Sequence, residues 1–283
     1  MRTTSWQGQV AVVTGAGSGI GRALAYGLGR RGCRLALSDV DEANLTETAD
    51  TLRATGREVR ADRVDVASRE GMAGYAALIA DRFGVVHQLY NNAGVGAARP
   101  LLDQSYEELD RVLQINLWGV VHGTLAFLPH LVASGDGRLV TISSVNALLS
   151  QPWLSAYCTS KAAVRSFTEV VRAEMIADRL PVRVTVVHSG GVRTNIATAA
   201  LVHARRSGRT VTAEDERGTA VYNEKLLTAD ADEVAERILT AVARGRPRVL
   251  VGAHARTVDA VTRLAPSLSP RLAAAVYRSA RRG

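Results

Sequence analysis

Tyr157 and Lys161 stand four residues apart in SAYCTSKAAV, a stretch of helical period, so their side chains share one helix face. A phenol has a pKa of ~10, and an ammonium beside it favours the phenolate. Bringing that phenol near neutrality takes about three units, or roughly 4 kcal/mol of differential stabilisation. A tyrosine so tuned can take a proton from a substrate hydroxyl or return one. Lysine suits this work because its ammonium is a compact point charge, whereas arginine presents a broad planar fork. Composition singles the residue out as well: Lys161 and Lys225 are the two lysines among 35 basic residues, so the chain writes every other such cation as arginine. Alone, the pair would pass for an ordinary tyrosine and lysine on a helix surface.

Other residues keep it company. Ser144 ends the strand-like run VTISS, where a hydroxyl at the carboxyl edge of a parallel sheet can hydrogen-bond a substrate oxygen. Asn116, in QINLWG, sits inside a long helical stretch where asparagine is a poor helix former and invites a reason. Earlier, TGAGSGIG places Gly15, Gly19 and Gly21 directly after a strand and at the opening of a helix. Glycines there allow a sharp turn and let a pyrophosphate approach the helix N-terminus. The spacing is G-x-x-x-G-x-G, with Ile20 where the general dinucleotide fingerprint wants its third glycine. A glycine-rich turn is also what tight packing requires, so the context matters. Asp39 follows Gly19 by 20 residues and ends the second strand, where a carboxylate can accept both ribose hydroxyls. Its plainer use would be to begin the turn before Asp41.

These residues need a frame that brings them to one edge. Strand-like runs alternate with helical stretches: QVAVVT then 20–31, CRLALSD then 41–55, EVRADRVD then 68–83. The series continues with VVHQLYNNAG and a long helix over 103–132, GRLVTISS and a helix over 156–178, and PVRVTVVHS. Such alternation predicts an α/β protein of the doubly wound, Rossmann type: one domain, a parallel sheet, helices on both faces. Residues 190–229 show no clean period and read as a substrate lid. A helix over 231–243 follows, with Asp230 and Glu233 at its N-cap and N3 in a capping-box-like start, and the strand PRVLVG closes the core. The expected division is a dinucleotide-binding and catalytic domain over 1–252 and a basic helical appendage over 253–283, in two helices split by PSLSP.

TGAGSGIG, Asp39, Asp65-Val66, NNAG at 91–94, Asn116, Ser144, and Tyr157 with Lys161 closely resemble the short-chain dehydrogenase/reductase family, in its branch of about 250 residues. The resemblance covers roughly residues 8 to 252. It implies Tyr157 as general acid/base, Lys161 holding the nicotinamide ribose and lowering the tyrosine pKa, and Ser144 orienting the substrate oxygen. Asn116 would support a water-linked proton relay to Lys161. The loop residues Gly15, Ser18, Gly19, Ile20 and Gly21 would hold the cofactor. Asp65 and Val66 would contact adenine, Asn92, Ala93 and Gly94 would line the cofactor, and Val192 and Thr194 would approach the carboxamide. The residues where similar proteins place a cation for a 2′-phosphate are Ser18 and Val40 here, both uncharged, so NAD(H) is expected over NADP(H). Similar proteins are usually dimers or tetramers joined through the helices carrying Asn116 and Tyr157. Two positions depart from the family pattern. Ser189-Gly190-Gly191 replaces the usual proline-glycine and is expected to loosen the loop over the nicotinamide. Ala147 replaces a common glycine.

The expected reaction is hydride transfer between nicotinamide and a secondary alcohol or its ketone, with a non-catalytic dinucleotide sensor or scaffold as the alternative. No segment reaches ~18 uninterrupted apolar residues, and the amino terminus lacks the apolar run of a signal peptide, so a cytoplasmic protein is expected. Cys33 and Cys158 fall in different elements without metal-ligand spacing, which argues for free thiols and no metal site. The net charge of +8 suggests nucleic acid only at first sight. From residue 256 onward six arginines face Asp259 alone, so the tail holds +5 of it, and no recognition motif or aromatic interleaving accompanies the charge. In that tail Leu264, Leu268, Leu272 and Val276 recur every four residues. Such a stripe suits packing on a neighbouring subunit, the expected use, or lying on an anionic membrane.

Overall fold

A computed structural model describes residues 6–252 and 254–282. Seven strands form one parallel sheet: β1 (Val10–Thr14), β2 (Arg34–Asp39), β3 (Val59–Arg63), β4 (Gln88–Asn91), β5 (Gly137–Ser144), β6 (Val182–Gly190) and β7 (Arg248–Gly252). Their order across the sheet is β3-β2-β1-β4-β5-β6-β7. The chain therefore winds outward from β1 to one edge, returns, and winds to the other. Between β1 and β4, where Val12 pairs with Ala36 on one side and Leu89 on the other, the direction reverses. Helices on opposite faces diverge there and leave a crevice above the carboxyl ends of the strands.

The helices on one face are α1 (Gly19–Arg30), α2 (Glu42–Ala54) and α9 (Ala231–Ala243); the other carries α3 (Arg69–Phe83), α5 (Gly119–Ala133) and α6 (Ser155–Ala177). Strands covered on both sides must be apolar throughout, and β1 is fully buried along VAVVT. Two cores result: Leu24, Leu28, Leu37, Val234 and Ile238 pack under α1 and α9, while Val12, Met72, Ile79, Leu89, Phe127 and Leu131 pack under α3 and α5. The expected doubly wound architecture is thus present.

Three elements differ from what periodicity predicts. The long helix expected over 103–132 begins later, at α4 (Tyr106–Leu113), and is interrupted by one π-helical turn, Gln114–Trp118, before α5. The extra residue of a π turn displaces the apolar stripe by one position, which a uniformly apolar sequence conceals. This continuous run, Tyr106–Ala133, contains an 18-residue stretch of mean hydropathy 1.3, long and apolar enough to cross a membrane by composition. In the fold it packs on α3, α6, β4 and β5.

The stretch 190–229 contains two helices, α7 (Ile196–Arg206) and α8 (Ala213–Lys225). α8 buries no residue fully, so it has no stripe to read. A reciprocal capping box starts it: Thr212 Oγ1 accepts the Asp215 amide and the Asp215 carboxylate accepts the Thr212 amide. At α9 the expected box is half made. Asp230 accepts the amides of Asp232 and Glu233, but the Glu233 carboxylate holds Arg237 instead of returning to the N-cap. After β7 come α10 (Ala255–Leu264) and α11 (Ser269–Arg282).

Candidate active site

The crevice is built first by close backbone approach. A Cβ on Gly21 would lie 2.0 Å from the Gly15 carbonyl oxygen, and Gly15 itself has φ +65, a left-handed conformation that favours glycine. The loop thereby stays tight enough to present its amides at the start of α1. Ile20, in place of a glycine, turns its side chain into the core under α1. Asn92 pins the loop from β4, donating from Nδ2 to the carbonyls of Thr14 (2.9 Å) and Gly15 (3.1 Å). Thr14, which the sequence did not single out, accepts the amides of Asn92 and Ala93 on its hydroxyl at 3.0 and 3.1 Å.

Asp39 ends β2 with both carboxylate oxygens engaged. Oδ2 accepts the Gly17 amide at 2.9 Å and Oδ1 accepts the Asp41 amide at 3.0 Å. It both begins the turn to α2 and ties that turn to the glycine loop, so the two readings of this residue coexist. Arg22 lies beneath, its guanidinium held by the Gly17 carbonyl (2.6 Å) and Glu47 (2.9 Å). Asp65 begins a turn by accepting the Ala67 amide, and Val66 packs against Gly119 while its carbonyl bonds His122.

Downstream, α6 carries the candidate reacting groups. Lys161 belongs to its buried stripe with Val164, Thr168, Val171 and Met175, which draws the ammonium inside. Nζ donates to the Ile142 carbonyl at 3.0 Å and lies 5.7 Å from the centre of the Tyr157 ring. Burial lowers the Lys161 pKa to about 8. Burial also raises the Tyr157 phenol; the Tyr222 phenol and Cys158 thiol add to the rise, and a hydrogen bond to Ser144 opposes it. The lowering of the phenol expected from Lys161 is therefore not what the chain by itself produces: burial dominates, and the one opposing influence is Ser144 and not the lysine, whose ammonium donates to the Ile142 carbonyl. Ser144 Oγ donates to the Ser189 carbonyl (3.3 Å) and accepts the Asn146 amide (3.1 Å), which fixes its rotamer.

Asn116 falls within the π turn and is fully buried. Its amide pairs both ways with Val95, accepting the N–H at 2.8 Å and donating to the carbonyl at 3.0 Å, and it donates to Ser160 Oγ at 3.1 Å. Ser160 donates in turn to the Tyr157 carbonyl at 2.7 Å. A Cβ on Gly94 would lie 3.1 Å from Asn116 Oδ1 and 3.4 Å from Lys161 Nζ, so NNAG, Asn116 and Lys161 converge. Ser160 was missed in the sequence, although three residues after Tyr157 is a helical neighbour.

From β6, Val192 is buried and bridges to Ala229, while the Thr194 methyl lies against Gly19 and Ser18 Oγ donates to Asn195. The start of the stretch 190–229 is therefore stapled to the glycine loop. The loosening expected from Ser189 is offset, because its hydroxyl donates to the Ser143 carbonyl at 3.1 Å where a proline ring would have fixed φ. His188, also missed, is buried one residue earlier; its Nδ1 bonds the Ser144 carbonyl at 3.2 Å and its Nε2 has no partner. Burial brings its pKa down to about 4. The thiols of Cys33 and Cys158 are both free and buried.

Comparison with known proteins agrees with this fold. The family model described as short chain dehydrogenase matches residues 9–203. SadH of Mycobacterium tuberculosis, named no further than as an oxidoreductase, is 44% identical over 273 residues, 96% of each chain. A solved short chain dehydrogenase/reductase from Burkholderia phymatum in complex with NAD superposes with TM-score 0.86 at 34% identity, covering 94% of this chain and 97% of that one. An alcohol dehydrogenase from the archaeon Thermococcus sibiricus, complexed with 5-hydroxy-NADP, superposes with TM-score 0.70 at 27% identity, covering 86% of this chain and 94% of its own. This chain is an oxidoreductase that belongs to the short-chain dehydrogenase/reductase family.

Proposed function

We propose that this protein transfers a hydride between NAD(H) and a secondary alcohol or its ketone. The observation that carries the reading is the placement of Tyr157 one helical turn before the buried Lys161, whose Nζ lies 5.7 Å from the centre of the tyrosine ring, with Ser144 at the carboxyl end of β5. NAD(H) supplies the hydride acceptor or donor when bound. In the oxidative direction Ser144 would orient the substrate hydroxyl and Tyr157, as the phenolate, would take its proton at Oη as the hydride leaves carbon for the nicotinamide. In reduction Tyr157 returns that proton to the developing alkoxide. Lys161 holds the nicotinamide ribose and places positive charge beside the phenol, and Asn116 ties the loop at Val95 to Ser160 so that α6 and the NNAG loop keep their distance.

The residues present suit a dinucleotide. Tight glycine contacts at 15 and 21 leave room for a pyrophosphate on the first turn of α1, with Ser18, Gly19 and Ile20 completing that turn. Asp39 faces the ribose hydroxyls, Asp65 and Val66 the adenine, Asn92, Ala93 and Gly94 the nicotinamide half, and Val192 and Thr194 its carboxamide. Residues 190–229 serve as the substrate lid within a catalytic domain of 1–252. The assembly is a homodimer or homotetramer in the cytoplasm, joined through the π turn with α5 and through α6, which leave Trp118, Leu125, Val170 and Ile176 exposed.

A panel of secondary alcohols and ketones, followed by NADH absorbance, tests the reading. Turnover of at least one class is expected. Tight NADH binding without turnover of any alcohol or ketone, with either cofactor, would overturn it in favour of a dinucleotide sensor.

A further inference from the structure

Helices α10 and α11 dock on the domain by small and charged residues. Ala255 and Ala273 are buried, and Asp259 accepts two bonds from Arg248, at 2.9 and 2.6 Å. The large apolar residues lie elsewhere. Leu264, Leu268 and Leu272 are 86%, 51% and 48% exposed, clustered around the turn between the two helices. Burial of leucines is the main return a helix gains from packing, so a docking mode that leaves three outside has them facing another partner. Val276, the fourth member of the stripe, lies outside the residues whose side chains are described.

The same segment is strongly basic. From residue 256 onward Arg256, Arg263, Arg271, Arg278, Arg281 and Arg282 stand against Asp259, which is already shared between Arg248 and Arg263. Arg256, Arg271 and Arg278 are exposed and have no acidic partner among the described residues. A partner for this face must therefore be anionic and also accept leucine side chains. A second copy meeting it across a two-fold axis would set +5 against +5. A nucleic acid would match the charge and leave the leucines in water.

We propose that α10 and α11 seat the enzyme on an anionic lipid bilayer, with the leucines entering the headgroup boundary and the arginines meeting lipid phosphates. α10 also packs on the short turn Val145–Ala147 that directly follows Ser144. The lipid surface thus lies on the side of the molecule where the substrate-orienting serine ends its strand.

The test is flotation of the full chain with vesicles of phosphatidylcholine alone and of phosphatidylcholine mixed with phosphatidylglycerol. Binding to the mixed vesicles only, weakened by salt, is expected. L264N/L268N/L272N should abolish binding without altering charge, and R256Q/R271Q/R278Q should weaken it about a hundredfold. All six positions are exposed, so both variants should keep the wild-type melting temperature, which is checked alongside. No flotation of the wild-type chain overturns the proposal, as does wild-type binding by the leucine variant. So does a leucine variant that sediments as a smaller oligomer, which would assign the face to a second copy. Displacement of vesicles by duplex DNA at equal salt, with the leucine variant binding DNA as wild type does, would assign it to nucleic acid. None of these readouts depends on turnover.

Discussion

The Lys161 ammonium lies 5.7 Å from the centre of the Tyr157 ring while it donates to the carbonyl of Ile142, the strand residue two before Ser144. One side chain thus couples the helix that carries the phenol proposed to transfer the proton to the strand that carries the hydroxyl proposed to orient the substrate. If Tyr157 is the proton carrier, Tyr157→Phe removes that proton and little else. Turnover should fall by about 10²–10⁴-fold with NADH binding unchanged. Steady-state rates and NADH titration by fluorescence check this; near wild-type turnover in the phenylalanine variant would rule the role out.

His188 makes a prediction about stability. Its folded pKa of about 4 lies below the ordinary histidine value, chiefly through burial, with Arg248 and Arg165 adding to the fall while the Ser144 carbonyl and Glu169 oppose it. Between pH 6.5 and about 4 the unfolded chain binds a proton here that the folded chain does not. The contribution is therefore intact above pH 6.5 and is lost as pH falls through that window, up to about 3 kcal/mol. Urea melts at pH 7.5 and pH 4.5 should show a smaller loss for His188→Asn than for wild type. Equal losses in the two proteins would remove His188 as the cause.

Arg209 bridges the segment proposed as the lid to the body of the domain. Its guanidinium reaches Asp215 on α8 at 3.1 Å and Glu108 on α4 at 4.0 Å, and Glu108 also holds Arg99 at 3.3 Å. A partly exposed pair of this kind contributes about 1 kcal/mol, or about fivefold in an opening equilibrium. Arg209→Gln should accelerate NADH release by about that factor in stopped-flow displacement. Added salt should speed the wild type towards the variant and leave the variant little changed; identical release rates at low salt would disprove a latch.

How much of this was legible in the sequence varies with what holds each part. Strands buried on both faces, such as VAVVT and GRLVTISS, announce themselves by composition, and the i, i+4 pair of Tyr157 and Lys161 is a local spacing that survives folding intact. The π turn around Asn116 is not legible, because a one-residue shift of phase leaves no mark in a run as apolar as INLWGVV. α7 and α8 escape for another reason: α8 rests on a capping box and, with α7, on ion pairs such as Arg205 with Glu216, and charged side chains can pair in many ways in an unfolded chain. Arg22 shows the same limit at the site. Nothing in its neighbourhood of the sequence points to Glu47, yet that pair fixes where its guanidinium lies beside the glycine loop.

Cofactor choice is the last prediction, and Asp39 decides it. A carboxylate offers about four lone-pair sites. Two are taken by the amides of Gly17 and Asp41, which leaves one for each ribose hydroxyl without breaking the loop. A 2′-phosphate in that place would meet a carboxylate at contact distance, and Ser18 and Val40 provide no cation. Arg22 is engaged by Gly17 and Glu47. Another cation nearby is Arg206 at the end of α7: Asp41 is held low first by the hydrogen bonds from Asn44 and last by the charge of Arg206. NADH should therefore bind more tightly than NADPH in the wild type. Asp39→Ala should weaken NADH by at least about tenfold, the loss of one hydrogen bond to a charged group. It should also improve NADPH, since the repulsion goes while Arg206 stays. Asp39→Ala combined with Arg206→Gln should cancel that gain and leave the NADH affinity of the single variant unchanged. Fluorescence titration of all three proteins with both nucleotides measures the set. A wild type that prefers NADPH, or an Asp39→Ala variant with the wild-type ratio of affinities, would show that some other group reads the ribose.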